Sequence, residues 1–269
     1  LRVLEAVGAA YVPVAVGCDR PLVGPPRDAR AVHGHDGLGN ARLPAPGRRP
    51  SAEHAVDQLL RVTRERPGEI TIVALGPLTN LAVALAKDAG LVRRVRQVVV
   101  MGGALRPPGN VTAVAEANIA HDPEAAQAVL TAGWPLLLVS LDVTMRAVLS
   151  EERARCLATA DDPAARLAWA ILPHYFDVYR RVFGRRQCPL HDPLALACAF
   201  DRSLVVTRRA RVEVELDGRL TRGMTVADLR AARDEAEDGP ERAGASVEVC
   251  LDVAAERFVE LLMRRLGAA

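Results

Sequence analysis

The chain has 269 residues, half of them apolar but only 3% aromatic, which suits one large α/β domain or two small ones with a core of Ala, Val and Leu. Its formal charge of +2 is nearly all carried by Arg, and the densest run, Arg93, Arg94 and Arg96, is too short for a nucleic-acid surface and reads as a solvated face. Five cysteines, an odd number without CxxC spacing, argue against a disulfide framework or a zinc site and suit a reducing cytoplasm, and no apolar run reaches the roughly 20 residues of a membrane helix.

In chain order, Leu1 to Val7 reads as a helix and Val12 to Val16 as a short apolar strand. Gly24 to Pro50 is a long Gly/Pro/His/Arg-rich loop, of the kind that is either a lid or disordered. Glu53 to Arg64 has the apolar spacing of an amphipathic helix. Ile70 to Leu75 is a β-branched run stopped by Gly76-Pro77, followed by a helix over Leu81 to Lys87. Val98 to Met101 is another buried strand, ended by Gly102-Gly103. Asp122-Pro123 opens a helix to Leu130, and Leu136 to Leu141 is the next strand. Ser150 to Phe183 reads as mostly helical, broken near Asp161-Asp162-Pro163, with Pro173 a further candidate break. Asp192-Pro193 starts a helix whose residues Leu194 to Phe200 are almost wholly apolar, which predicts burial. Arg211 to Leu216 and Thr221 to Val226 resemble a hairpin around Asp217-Gly218. Asp234 to Gly244 is an acidic surface loop, Ser246 to Val253 a late strand and Glu256 to Leu266 a closing helix. Strands apolar on both faces that alternate with helices predict an α/β fold, its central sheet mostly parallel and covered by helices on both faces.

In such a sheet, ligands sit beyond the carboxyl ends of the strands. After the first strong strand, Gly76 to Asn80 reads as a turn into a helix, with Thr79 or Asn80 as its cap. After the next, Gly102-Gly103 lets backbone approach a ligand or simply turns. Glu116 and Asn118 stand two apart; in extended backbone both would point to one side, a carboxylate beside an amide suited to vicinal hydroxyls, or else a polar edge facing water. His-Asp-Pro occurs twice. His121-Asp122-Pro123 is explained by helix initiation, whereas His191-Asp192-Pro193 precedes an apolar helix, where a buried pair needs partners and suggests function. Tyr175 and Tyr179, four apart, share a helix face that Phe183 extends; such a stripe serves either core packing or a planar base.

Together these pieces resemble the inosine-uridine-preferring nucleoside hydrolase family. The matching segments are Ala74-Leu75-Gly76-Pro77-Leu78-Thr79-Asn80-Leu81-Ala82, Val100-Met101-Gly102-Gly103-Ala104, Gly109-Asn110-Val111-Thr112 with Ala115-Glu116-Ala117-Asn118-Ile119, and His191-Asp192-Pro193-Leu194-Ala195, in the family's order. His33 to Gly39 resembles its mobile loop near the active site. The resemblance spans essentially the whole chain as one domain, 1–269. It implies hydrolysis of the N-glycosidic bond of ribonucleosides and a Ca2+ cofactor held by Asp192 and the main-chain carbonyl of Leu75. Asn110, Glu116, Asn118 and Asp192 would hold the ribose with Met101 lining the pocket, and His191 would help the base leave. Tyr175, Tyr179 and His33 would lie near the base. It further implies a nucleoside as the partner, no nucleic acid or membrane, and a homodimer or homotetramer. The family's Asp-rich first strand, of the form DTDPGxDD, is not in this sequence. The expectation is therefore a piece lacking the first strands, with an incomplete Ca2+ site and little activity. The alternatives are a non-catalytic riboside-binding relative and, with no GxGxxG or Walker-type loop to support it, an unrelated doubly wound enzyme.

Overall fold

A computed structural model describes residues 1–230 and 246–267; the loop predicted over Asp234 to Gly244 lies outside the described residues. The chain opens with α1 (Arg2–Ala6), α2 (Arg30–His33) and α3 (Ala55–Glu65). It then alternates through β1 (Ile70–Ala74), α4 (Thr79–Lys87), α5 (Leu91–Arg94), β2 (Val95–Met101), α6 (Ala117–His121), α7 (Pro123–Leu130) and β3 (Leu136–Val139). Next come α8 (Leu141–Thr144), β4 (Val148–Ser150), α9 (Glu151–Ala154), α10 (Pro163–Phe183), β5 (Gln187–Pro189) and α11 (His191–Cys198). β6 (Val205–Val214), β7 (Thr225–Ala227), β8 (Ser246–Val253) and α12 (Ala255–Arg265) complete it.

Six strands form one sheet in the order β1-β2-β3-β8-β6-β7. β1, β2, β3 and β8 run parallel, and β6 is antiparallel to both β8 and β7. Alternate side chains of the central strands leave by opposite faces. Val99 and Met101 of β2 and Leu137 and Val139 of β3 join a core with Phe176 of α10, Leu194 of α11 and Phe258 of α12. Val98, Val100, Leu136 and Leu138 join a second core with Leu60 of α3, Leu81 of α4 and Val129 of α7. The sheet is thus the double-sided, mostly parallel one expected. The pairing of Ala74 with Val100 and of Met101 with Val139 brings the carboxyl ends of β1, β2 and β3 to one rim.

Several local expectations are corrected. Val12 to Val16 forms no strand: among the described residues it makes a single bridge, Ala15 with Ser51 in an irregular segment, and so has no ladder to extend. Pro173 does not break α10; the helix runs from Pro163 through Phe183. Leu196 and Phe200 are exposed, so the helix from His191 buries one face rather than all of it. The hairpin exists, but its first strand begins at Val205, because β6 pairs with β8 before it reaches β7. Neither Thr79 nor Asn80 caps α4, whose N-cap is Leu78.

Those two residues instead fasten the N-terminal segment. Asn80 accepts from the Cys18 backbone N–H at 2.8 Å, and the Thr79 hydroxyl donates to Asp122 at 2.6 Å. Asp122, fully buried, also accepts from the Leu22 and Ala125 backbone N–H groups, so one carboxylate ties the incoming chain to α4 while capping α7. The structural reading of the first His-Asp-Pro therefore holds. Asp122→Ala removes the cap and leaves buried donors unpaired, which should cost about 2–4 kcal/mol in urea unfolding. Protease cleavage near Leu22 should become faster in the same variant.

Candidate active site

The rim is organised by Glu116. Its carboxylate, 2% exposed, accepts three backbone N–H groups: Asn118 at 3.0 Å, Ile119 at 3.2 Å and Gly103 at 3.0 Å. Burial raises its pKa, these hydrogen bonds oppose the rise, and the charge of Asp192 adds to it. The first two donors make Glu116 the N-cap of α6. Glu116 and Asn118 therefore do not lie along extended backbone as expected; they converge because one caps the helix that carries the other. Gly103 holds a positive φ of 80°, and a Cβ on Gly102 would meet Ile119 and Glu116 at 3.2 and 3.4 Å. The two glycines let the end of β2 approach the carboxylate.

Asn118 bridges the ends of two strands. Its Nδ2 donates to the Met101 carbonyl at 3.0 Å and lies 3.5 Å from the Leu75 carbonyl and from the Met101 sulfur. With its amine committed to backbone, the amide oxygen is the group left to accept from a ligand. Asn110, in an exposed loop, caps from the other side: its Oδ1 accepts from Ala117 N–H at 2.9 Å, leaving its amine as a donor. Gly109 lets this loop fold tightly, since a Cβ there would lie 2.3 Å from the Ala115 backbone.

α11 presents His191 and Asp192. Asp192 is exposed, yet the protein packed about its carboxyl pushes its pKa up to about 6. Burial raises the pKa of Tyr175 and Tyr179, and the charge of Asp192 adds to the rise at both, as it does at Glu116. His191 is held at both ring nitrogens: Nδ1 lies 2.7 Å from the Thr144 hydroxyl and Nε2 lies 3.1 Å from the Tyr179 hydroxyl. Burial pushes its pKa down to about 4 and that of Tyr179 up to about 12, so both are neutral near pH 7.

The long loop is docked on α10. His33 Nδ1 meets the Tyr175 hydroxyl at 2.8 Å, His174 Nε2 meets the Val32 carbonyl at 3.0 Å, and Gly39 passes so near that a Cβ would lie 2.8 Å from the Ile171 carbonyl. Asp36 stiffens the loop from within by accepting from the Leu38, Asn40 and Arg42 backbone N–H groups, which hold its carboxyl below the usual range.

Hydrogen bonds thus join Glu116, Asn118, Met101 and the Leu75 carbonyl at the strand ends, with Asn110 capping the same helix, while His191 with Tyr179 and His33 with Tyr175 form separate pairs; Leu75 offers a carbonyl while its side chain is exposed. Thr144 was not singled out. Its place shortly after β3 is the signal that could have found it.

A model of the inosine-uridine preferring nucleoside hydrolases matches residues 1–260. The chain belongs to this family. It is 38% identical over 266 residues to the inosine-uridine preferring nucleoside hydrolase of Crithidia fasciculata, covering 98% of this chain and 82% of that one. It is 36% identical to a pyrimidine-specific ribonucleoside hydrolase of Photobacterium profundum, covering 99% and 84%. A solved plant nucleoside hydrolase superposes with a TM-score of 0.90 at 34% identity, covering 99% of this chain and 84% of that one. The expectation of an inactive chain gains no support from these relatives, nor does that of an unrelated enzyme. No helix among the described residues is long and apolar enough to cross a membrane.

The latch between His33 and Tyr175 gives a direct expectation. Tyr175→Phe keeps the ring and removes the hydroxyl, so protease cleavage between Arg30 and Arg42 should become several-fold faster, with thermal unfolding shifted little.

Proposed function

We propose that this chain, read as one domain over 1–269, hydrolyses the N-glycosidic bond of ribonucleosides to free base and ribose. The observation that carries the reading is the meeting of two kinds of group at the sheet rim. Asn118, Asn110, Glu116 and Asp192 offer the acceptors and donors that ribose hydroxyls need, with Met101 beneath them. Opposite stands the neutral His191–Tyr179 pair, which holds protons at the side where a base would leave. Cleavage develops positive charge on the sugar and negative charge on the departing nitrogen. Asp192 and Glu116 suit the first, and a proton from the His191–Tyr179 side suits the second. Water adds at the sugar carbon as the bond to the base breaks; the bonding pair leaves with the base, which takes up one proton as the water gives one up. Tyr175 and His33 bring aromatic surface over that side.

The donors present also bear on Ca2+. Asp192 carries a carboxyl crowded by protein whose raised pKa has desolvation as its sole cause, and the Leu75 carbonyl receives only a long 3.5 Å contact. Both are hard oxygens of the kind Ca2+ takes, but a complete shell needs about six to eight. Among the described residues no group of three or more His, Cys, Asp and Glu side chains could hold a metal. Asp192 and Leu75 thus fit as part of a ligand set, and when bound the ion would make a water more nucleophilic. The free cysteines suit the cytoplasm, and a homodimer or homotetramer is the assembly that the family resemblance favours.

The test is release of free base from uridine, inosine, cytidine and adenosine by this chain and by any longer product of its gene, with Ca2+ and after chelation. We expect release with Ca2+ that chelation abolishes. His191→Ala should lower kcat roughly a hundredfold with KM changed little. Absence of release from all four nucleosides would overturn the proposal.

A further inference from the structure

Among the described residues the hydroxyl of Thr144 has one hydrogen-bond partner. Thr144 is fully buried, at the end of α8, and its Oγ1 lies 2.7 Å from His191 Nδ1. Helical threonines commonly turn the hydroxyl back on the carbonyl four residues earlier, as Thr63 does to Leu59 and Thr131 to Gln127. Thr144 does not. A buried hydroxyl needs an acceptor for its proton, and leaving that donor unpaired is unfavourable. The imidazole nitrogen is the acceptor within its reach.

That requirement decides how the ring is protonated. If Nδ1 carried the hydrogen, it would donate to Oγ1, and the Thr144 proton would point at nothing. If Nδ1 is bare, it accepts from Thr144, and the single hydrogen of the neutral ring sits on Nε2, the edge that faces Tyr179, whose hydroxyl belongs to a residue only partly buried and can give its own proton to water, as the fully buried Thr144 cannot. The framework is built to keep this contact. β4 and β5 pair antiparallel with Val148 opposite Pro189, just after Thr144 and just before His191. Leu190 N–H donates to the Ala147 carbonyl at 2.8 Å, and Ala147 N–H donates to the Thr144 carbonyl at 3.3 Å. The spacing of the two side chains is thereby set by backbone.

We propose that Thr144 is a positioning residue that holds His191 in the Nε2–H tautomer, so that the ring proton lies on the Tyr179 edge, the side that the proposed function gives to the leaving base, and not on the Thr144 edge. Thr144 does not touch substrate; it acts through His191. The proposal rests on the nucleoside-hydrolase reading for its consequence in turnover, while the tautomer itself is independent of turnover.

The test has two readouts on the same protein as above. Nitrogen-15 NMR of histidine-labelled protein, with the His191 signal identified by its loss in His191→Asn, reports which ring nitrogen of the neutral form carries hydrogen. We expect Nε2–H in the wild type, an Nδ1–H population in Thr144→Val, and a return to Nε2–H in Thr144→Ser. Nδ1–H in the wild type, or a tautomer unchanged in Thr144→Val, would overturn the proposal. Should the Val variant fail to fold, the wild-type and Ser spectra still decide the first point. In kinetics, Thr144→Val should lower kcat on nucleosides roughly tenfold with KM within about twofold, restored by Ser. It should leave a nitrophenyl riboside, whose leaving group departs without a proton, unaffected. Equal loss on both substrates would show that Thr144 acts by packing and would refute the assignment. If no nucleoside is cleaved at all, the proposed function falls and the NMR result stands on its own.

Discussion

A carboxylate almost wholly shielded from water must find donors inside the protein, and the way Glu116 meets that condition governs the rest of the rim. Its donors come from the first turn of α6 and from the turn after β2, so helix and strand end are drawn to one point. Asn118 inherits its place from that convergence and reaches on to the carbonyls of Met101 and Leu75. Removing the carboxylate would release the anchor that sets all of these distances. A group that faces substrate in the proposed reaction is therefore also a structural keystone, and the two roles cannot be separated by charge alone.

The opposite wall is built on a different principle. His191 and Tyr179 are kept neutral chiefly by burial rather than tuned by ion pairs, and both ring nitrogens of His191 meet hydroxyls. Hydroxyls donate and accept, so the arrangement specifies where a proton sits without adding charge. The cleft thus sets carboxylates on the side that would face the sugar against uncharged proton carriers on the side that would face the base. This division matches the charge separation of N-glycosidic cleavage.

The layered α/β fold was legible because apolar runs alternate with helical spacing, and the double-sided cores confirm what Val98 to Met101 and Leu136 to Val139 imply. Motif order was legible too, since each motif follows a strand. The geometry within motifs was not. Glu116 and Asn118 were placed on extended backbone, because nothing in their spacing reveals that a buried carboxylate can start a helix there. Thr79 and Asn80 looked like local caps, yet their partners, Asp122 and Cys18, lie 43 and 62 residues away in sequence. Val12 to Val16 has the composition of a strand but no regular neighbour to pair with. The misses at Thr79, Asn80 and Val12 to Val16 concern long-range partners, which local pattern does not encode.

α10 carries Tyr175 and Tyr179 one helical turn apart, the first holding the His33 loop and the second holding His191. Cover and chemistry are thereby mounted on a single rod. A rotation of that rod by one residue would unfasten the cover and strand the histidine in the same motion. A substitution at one tyrosine alters only its own contact, whereas anything that displaces the helix as a whole alters both together.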